Sequence, residues 1–265
     1  MLKKLYKHEF YALFKGMLAV YIGLIGMALL SKLSFLISEE GILGTILQTS
    51  TTTIYILGVV AMFVVGLVIV IVRFYKNLLS KEGYLTFTLP FKAIQHLNCK
   101  LFCGITVIIV NFIVLLLSLL IFFIGGDGFN TFIDNLKMGF DMLTQVYRPW
   151  QIIIVGVELV MVIALSLFNT LLMPYCAMAI GQRFRSKIGG AVAAYLCLYA
   201  AHEFIDMIVV SVAALLGENV VNLLENHLFE AASIIIGAGV VYTGLITFAL
   251  YFTTYRQLSR HLNLE

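Results

Sequence analysis

Charge is the scarcest commodity in this chain: 12% of its 265 residues are Asp, Glu, Lys or Arg, against 62% hydrophobic residues, which leaves no room for a second, soluble domain. No connection between apolar stretches is long enough to hold a catalytic module. Cysteine is sparse as well. Cys99, Cys103, Cys176 and Cys197 lie in or beside apolar runs, which argues against a disulfide framework. Cys99 and Cys103 are one helical turn apart with no further ligands nearby, a poor metal site, so all four read as small apolar packing residues. There is no G-x-x-x-x-G-K-[ST] loop, no G-x-S-x-G elbow and no paired C-x-x-C, so nucleotide hydrolysis, if it drives this protein, belongs to another polypeptide. No basic stripe suits a nucleic acid, no repeat or linker is visible, and the basic segment 1–16 runs on without a small-residue cleavage site, so the first apolar stretch is expected to be retained.

What is present is hydrophobic length. Six stretches, 17–38, 54–72, 99–124, 151–181, 188–216 and 232–252, are each long enough to cross a hydrocarbon core of about 30 Å. Of the 17 Lys and Arg residues, all but Lys32, Lys137 and Arg148 fall on one side of this pattern. The positive-inside rule then puts both termini in the cytoplasm. The net charge of +3 reports membrane orientation. Glu39, Glu40, Asp127, Asp134, Asp141, Glu218, Glu225 and Glu230 fall on the outer side.

Residues 2–15 read as an amphipathic helix at the cytoplasmic surface, with Leu2, Leu5, Tyr6, Phe10 and Leu13 on one face and lysines on the other. Glu9 breaks the pattern by pointing into the apolar stripe, at about 100° per residue. Either it snorkels or pairs with a neighbouring lysine, or the helix docks on a partner offering a basic residue. The longest cytoplasmic connection, 73–100, interleaves aromatics and leucines with charges and is broken at Gly83 and Pro90; it is too apolar for a solvated loop and reads as a covered surface. On the outer side, 125–150 reads as a loop with a weakly amphipathic portion over 129–146, Trp150 as an interfacial marker, and 217–231 as a short amphipathic helix.

The compact polar cluster inside a span is His202, Glu203 and Asp206, and at about 100° per residue Tyr195 and Tyr199 share its arc of about 100°. An ionised carboxylate near mid-bilayer costs about 2.5–3.5 kcal/mol on the insertion scale, so such groups face a bundle interior, a cavity or a partner. Glu158, about eight residues below Trp150 in the fourth span, is expected at a similar outer-leaflet depth, at about 1.5 Å per residue. Three readings fit: mutual satisfaction in a helix interface, a substrate path or oligomer interface, and a metal site, since H-E-x-x-D differs from the zinc-protease H-E-x-x-H at the last ligand. The fifth span is longer than a crossing needs, so 207–216 either folds back near Asp206 as a re-entrant piece or belongs to a long fifth helix; the re-entrant form is the expectation, with the outer segment over 207–231.

Arg73-Phe74-Tyr75-Lys76-Asn77-Leu78, then Glu82-Gly83-Tyr84-Leu85 and Thr88-Leu89-Pro90, resemble the membrane-spanning permease subunit of bacterial ABC type-2 exporters of the Firmicutes kind. The likeness of plan covers the whole chain: interface helix, six spans, a charged and aromatic loop after the second span, a hydrophobic outer segment before the sixth. The resemblance implies an all-α integral membrane protein in the bacterial cytoplasmic membrane. It also implies a homodimer or a heterodimer with a second permease subunit, a separate ABC ATPase subunit carrying ATP and Mg, contact with membrane lipid, and no cofactor in the chain itself. Glu9, Arg73, Lys76, Lys81, Glu82, Tyr84 and Pro90 would then face the ATPase through a coupling helix, and Glu158, Tyr195, Tyr199, His202, Glu203 and Asp206 would surround a substrate path or outer gate. The substrate would be amphipathic: a peptide, antibiotic or lipid. The rival functions are a proton-coupled carrier and an intramembrane metal-dependent protease.

Overall fold

The computed structural model describes residues 2–37, 41–80, 93–123, 127–215 and 228–260, and among these there are helices and no strand. The helices are α1 (Leu2–Ile37), α2 (Ile42–Phe74), which runs on as a π turn (Tyr75–Leu79), α3 (Ala93–Phe123), α4 (Asp127–Val146), α5 (Pro149–Gly181), α6 (Lys187–Leu215) and α7 (Leu228–Arg260). All but α4 are long and apolar enough to cross a membrane. Helices are the expected answer, because lipid offers no hydrogen bonds and each backbone group must be satisfied within its own segment.

Four segments differ from the sequence expectation. The amphipathic 2–15 and the first span form one helix, α1, because nothing between them breaks it. Gly16 is the one weak former there, and a Cβ on it would make ordinary contact with Ile69 of α2 at 3.8 Å. α2 begins at Ile42 rather than 54, through a Ser/Thr-rich stretch whose hydroxyls donate to carbonyls one turn back: Thr45 to Gly41 at 3.1 Å, Thr49 to Thr45 at 2.8 Å, Ser50 to Ile46 at 2.7 Å and Thr53 to Thr49 at 2.8 Å. The outer loop is largely helical as α4, whose Phe132, Leu136, Phe140 and Leu143 recur at helical spacing and are all exposed; each glycine in it costs only about 1 kcal/mol relative to alanine. Finally, α6 does not turn at Asp206. It continues to Leu215, Ser211 donating to the Met207 carbonyl at 2.7 Å, since no Gly or Pro interrupts 191–215. The re-entrant turn expected there is absent from the described residues, and the rest of the expected outer segment, 216–227, lies outside them.

The chain divides into two compact units, 1–73 with 98–138, and 74–97 with 139–265. In the first, α1, α2 and α3 close on Met17, Leu24, Ala28, Met62 and Leu101. Polar rungs lie between these helices: Tyr6 with Thr106 at 2.6 Å, Tyr21 donating to Asn111 at 2.8 Å, Ser34 with Thr51 at 2.8 Å and Tyr55 with Ser118 at 2.9 Å. Gly66 permits the approach of α2, since a Cβ there would stand 2.6 Å from the Asn111 side-chain nitrogen.

In the second unit α5 is the central helix, packed by α6, α7 and the π turn. Its buried stretch lies near its C-terminal end, around Leu171, Leu172, Tyr175 and Cys176, where the Phe74 ring stacks on Tyr175 with centroids 3.8 Å apart. The short connection to α6 needs Gly181, because a Cβ there would fall 2.5 Å from the Ala191 backbone nitrogen. Cys99, Cys103 and Cys176 are buried as expected of packing residues, whereas Cys197 is exposed on α6.

Candidate functional site

Two polar constructions stand out against the apolar helices, one in each unit. In the first unit, Glu9 lies on the buried side of α1 and is 7% exposed. Its Oε2 sits 2.7 Å from Lys100 Nζ at the start of α3 and 2.9 Å from Arg73 Nε at the end of α2. The side chains of Glu9 and Lys100 are 9% and 8% exposed, that of Arg73 26%. One carboxylate thus joins three helices and binds two cations that flank the connection 74–99 in the sequence. The anomaly visible in the helical wheel is resolved within the chain, by bases 64 and 91 positions away. Cys103 lies beneath this knot, its Sγ 3.8 Å from the Tyr6 carbonyl.

Of the other residues expected to face a partner, Lys76 is exposed in the π turn, where its carbonyl accepts the Ser80 hydroxyl. Lys81, Glu82, Tyr84 and Pro90 lie outside the described residues.

In the second unit the polar groups form rungs along α7. At one end Trp150 meets the Phe229 ring edge-on at 5.4 Å. Next, Ser233 donates to Glu158 Oε1 at 2.7 Å, while Glu158 Oε2 is buried without a hydrogen bond. Further along, Tyr242 donates to Asp206, whose other oxygen lies 3.0 Å from His202 Nδ1. Thr247 then donates to Asn169 at 2.9 Å, and Arg183 donates to Gln257 at 3.0 Å. At about 1.5 Å per residue, Tyr242 is about 20 Å from the Phe229 level and about 22 Å from the Gln257 level. The His202–Asp206–Tyr242 rung is therefore midway through the helix that carries it.

The structure brings together some of the expected stripe and separates the rest. His202 and Asp206 form a pair, and Tyr195 and Tyr199 stack with centroids 6.5 Å apart. Glu158 takes its partner from α7 on a different rung. Glu203 is exposed, as are Tyr195 and Tyr199 at 39% and 49%. Among the described residues no group of three or more His, Cys, Asp or Glu is placed to hold a metal ion; His202 and Asp206 have each other and Tyr242 rather than a third ligand.

Tyr242, Ser233 and Lys100 are participants that the sequence reading passed over. Asn111, an amide inside the apolar run Val107–Val114, carried a usable signal, since a lone amide in such a run must find a partner. No family model, curated protein or solved structure matches the chain. Its functional reading therefore rests on these two constructions and on the membrane-spanning plan.

Proposed function

We propose that this chain is the transmembrane subunit of an ATP-driven exporter in the bacterial cytoplasmic membrane, with both termini inside and ATP hydrolysed on a separate subunit. It would move an amphipathic molecule, a peptide, antibiotic or lipid, outward across the bilayer. The observation that carries the reading is the Glu9 knot. An exporter of this kind must pass a push on a cytoplasmic connection into its spanning helices, and the two residues flanking that connection, Arg73 and Lys100, are anchored on one buried carboxylate of α1. Force applied between them is transmitted to three helices at once. Arg73, Lys76, Lys81, Glu82, Tyr84 and Pro90 are the proposed ATPase-facing positions, with Glu9 holding their frame, and the polar stripe of α6 with Glu158 is the proposed substrate side.

The test is affinity purification of the tagged protein from its own host in mild detergent, followed by mass spectrometry and an ATP hydrolysis assay. A stoichiometric ATPase with turnover is the expected result. A preparation that transports with no nucleotide-binding partner would overturn it. The mid-helix rung of His202, Asp206 and Tyr242 favours one other reading, a proton-coupled carrier, because paired ionisable groups at that depth suit a proton relay. Transport driven by a pH gradient in vesicles free of nucleotide would establish that alternative.

A further inference from the structure

α4 lacks the apolar length to cross a membrane, yet it is too sharply two-sided for a helix surrounded by water. At about 100° per residue, Phe132, Ile133, Leu136, Phe140, Leu143 and Val146 fall within an arc of about 140°, and Asn130, Asp134, Lys137 and Asp141 fall on the opposite side. The polar side is completed within the helix, Lys137 standing 3.9 Å from Asp134 with both side chains well exposed. The apolar side is not completed. Phe132, Leu136, Phe140, Leu143 and Val146 are between 47% and 71% exposed, so the chain itself leaves this face uncovered.

The covalent connections of α4 point to what covers it. Three residues, 124–126, join it to the end of α3, and two, Tyr147 and Arg148, join it to α5. At about 3.3–3.6 Å per residue step these connections reach at most about 14 Å and about 11 Å. Both neighbours are spanning helices, and because α4 cannot cross, the two ends it joins lie on the same side of the bilayer. α3 stays apolar over 119–123 to its end, so it does not project into water, and α5 opens with Trp150, a residue type that settles at headgroup level. Both anchor points are therefore at the interface. A rod of 20 residues, about 30 Å long at about 1.5 Å per residue, cannot stand upright between two such anchors. Neither end can sink into hydrocarbon, since Asn130 is near one and Gln145 near the other. At headgroup level an amphipathic helix gains by turning its apolar arc toward the acyl chains.

We infer that α4 lies along the bilayer surface, with Phe132, Leu136, Phe140 and Leu143 inserted among the lipids and Asp134, Lys137 and Asp141 in water. The partner is a lipid surface recognised by apolar burial. Charge does not recruit it, because the polar arc sets two carboxylates against one ammonium and has no surplus of cations to attract anionic headgroups. The inference goes beyond the exporter reading and needs only the membrane-spanning plan.

Fluorophore depth measurements in nanodiscs test it. In a Cys197→Ala background the remaining cysteines are buried, and the chain without a new cysteine supplies the blank. Phe132→Cys with Asp134→Cys, and Leu143→Cys with Asp141→Cys, are pairs two residues apart and about 160° apart around the helix. Each is labelled with a polarity-sensitive fluorophore in phosphatidylcholine nanodiscs. A lipid nitroxide carried near the headgroup should quench the Phe132→Cys and Leu143→Cys labels several-fold more than the two aspartate-position labels, and aqueous iodide should do the reverse. The headgroup nitroxide should also quench more than one at the acyl chain end, because the apolar face of such a helix penetrates only about 5–10 Å. Adding phosphatidylglycerol or salt should leave the pattern unchanged. All four positions are exposed, and either pair alone decides the question should a variant of the other misfold. Equal iodide quenching at all four positions would overturn the inference by placing α4 in water. Labels at Phe132→Cys and Leu143→Cys shielded from both quenchers would overturn it in favour of a protein cover, and stronger quenching from the chain end would overturn it by sinking α4 into the core. The readout uses no nucleotide and no ATPase, so it stands or fails separately from co-purification.

Discussion

Replacing Glu9 by alanine should open the end of α3 that Lys100 occupies. The substitution strands an ammonium whose side chain is 8% exposed and removes the partner of Arg73, whose side chain is 26% exposed. Removing one member of a buried ion pair costs about 3–5 kcal/mol, mostly because the remaining charge is left uncompensated; here the larger share falls on Lys100, the more deeply buried cation. Two native thiols report on the place itself. Cys99 adjoins Lys100 and is 7% exposed, and Cys103, one turn on, is fully buried. In a Cys176→Ala, Cys197→Ala background, maleimide labelling of these thiols follows the population of the opened state when closing is fast relative to labelling. At about 1.36 kcal/mol per factor of ten, the expected cost corresponds to labelling about 150- to 5,000-fold faster. Glu9→Ala combined with Lys100→Met should recover most of the loss, because no uncompensated ammonium remains. The exposed Lys15→Ala should change nothing. Glu9→Ala labelling at the rate of the parent would refute the argument, since it would mean that the two bases do not depend on this carboxylate.

Two further substitutions probe packing. Gly66→Ala would place a methyl group 2.6 Å from the Asn111 amide, displacing the acceptor of Tyr21; the melting temperature in detergent should fall by an amount equivalent to about 1–3 kcal/mol, and an unchanged value would show that α2 does not approach Asn111 so closely. Gln182 is 3% exposed and neither polar atom of its side chain has a hydrogen-bond partner, so Gln182→Met should leave stability unchanged or raise it by about 1–3 kcal/mol. A large loss in that thermal assay would show that the amide is satisfied in the native protein.

The spans were legible because 20-odd apolar residues in a row have few other uses, and Glu9 was legible as a misfit on its helix. Its partners were not, because a helical wheel contains only local neighbours, while Arg73 and Lys100 reach Glu9 through the packing of three helices. Glu158 and Asp206 illustrate the same limit. Spacing along the spans put both at similar depth, whereas their partners, Ser233 and Tyr242, stand about 14 Å apart along α7 at about 1.5 Å per residue, a separation set by the register between α5, α6 and α7. The continuity of α1 and the extension of α6 to Leu215 were obscured for another reason. A change from amphipathic to uniformly apolar character, or a surplus of length, looks like a boundary in sequence, yet neither interrupts the hydrogen-bond ladder of a helix: α1 runs through Gly16 and α5 even through Pro174.

The hydroxyl groups of early α2 have a consequence for the fit of this protein to its bilayer. Because Thr45, Thr49, Ser50 and Thr53 bond to their own helix, these four hydroxyls place their donors without water, which lowers the cost of holding the stretch in lipid as well as in the interfacial layer. From Ile42 to the start of the strongly apolar run this is about 18 Å of helix, at about 1.5 Å per residue. α2 thereby has an adjustable hydrophobic length, able to match bilayers that differ by several ångströms in thickness without tilting or distorting the lipid around it.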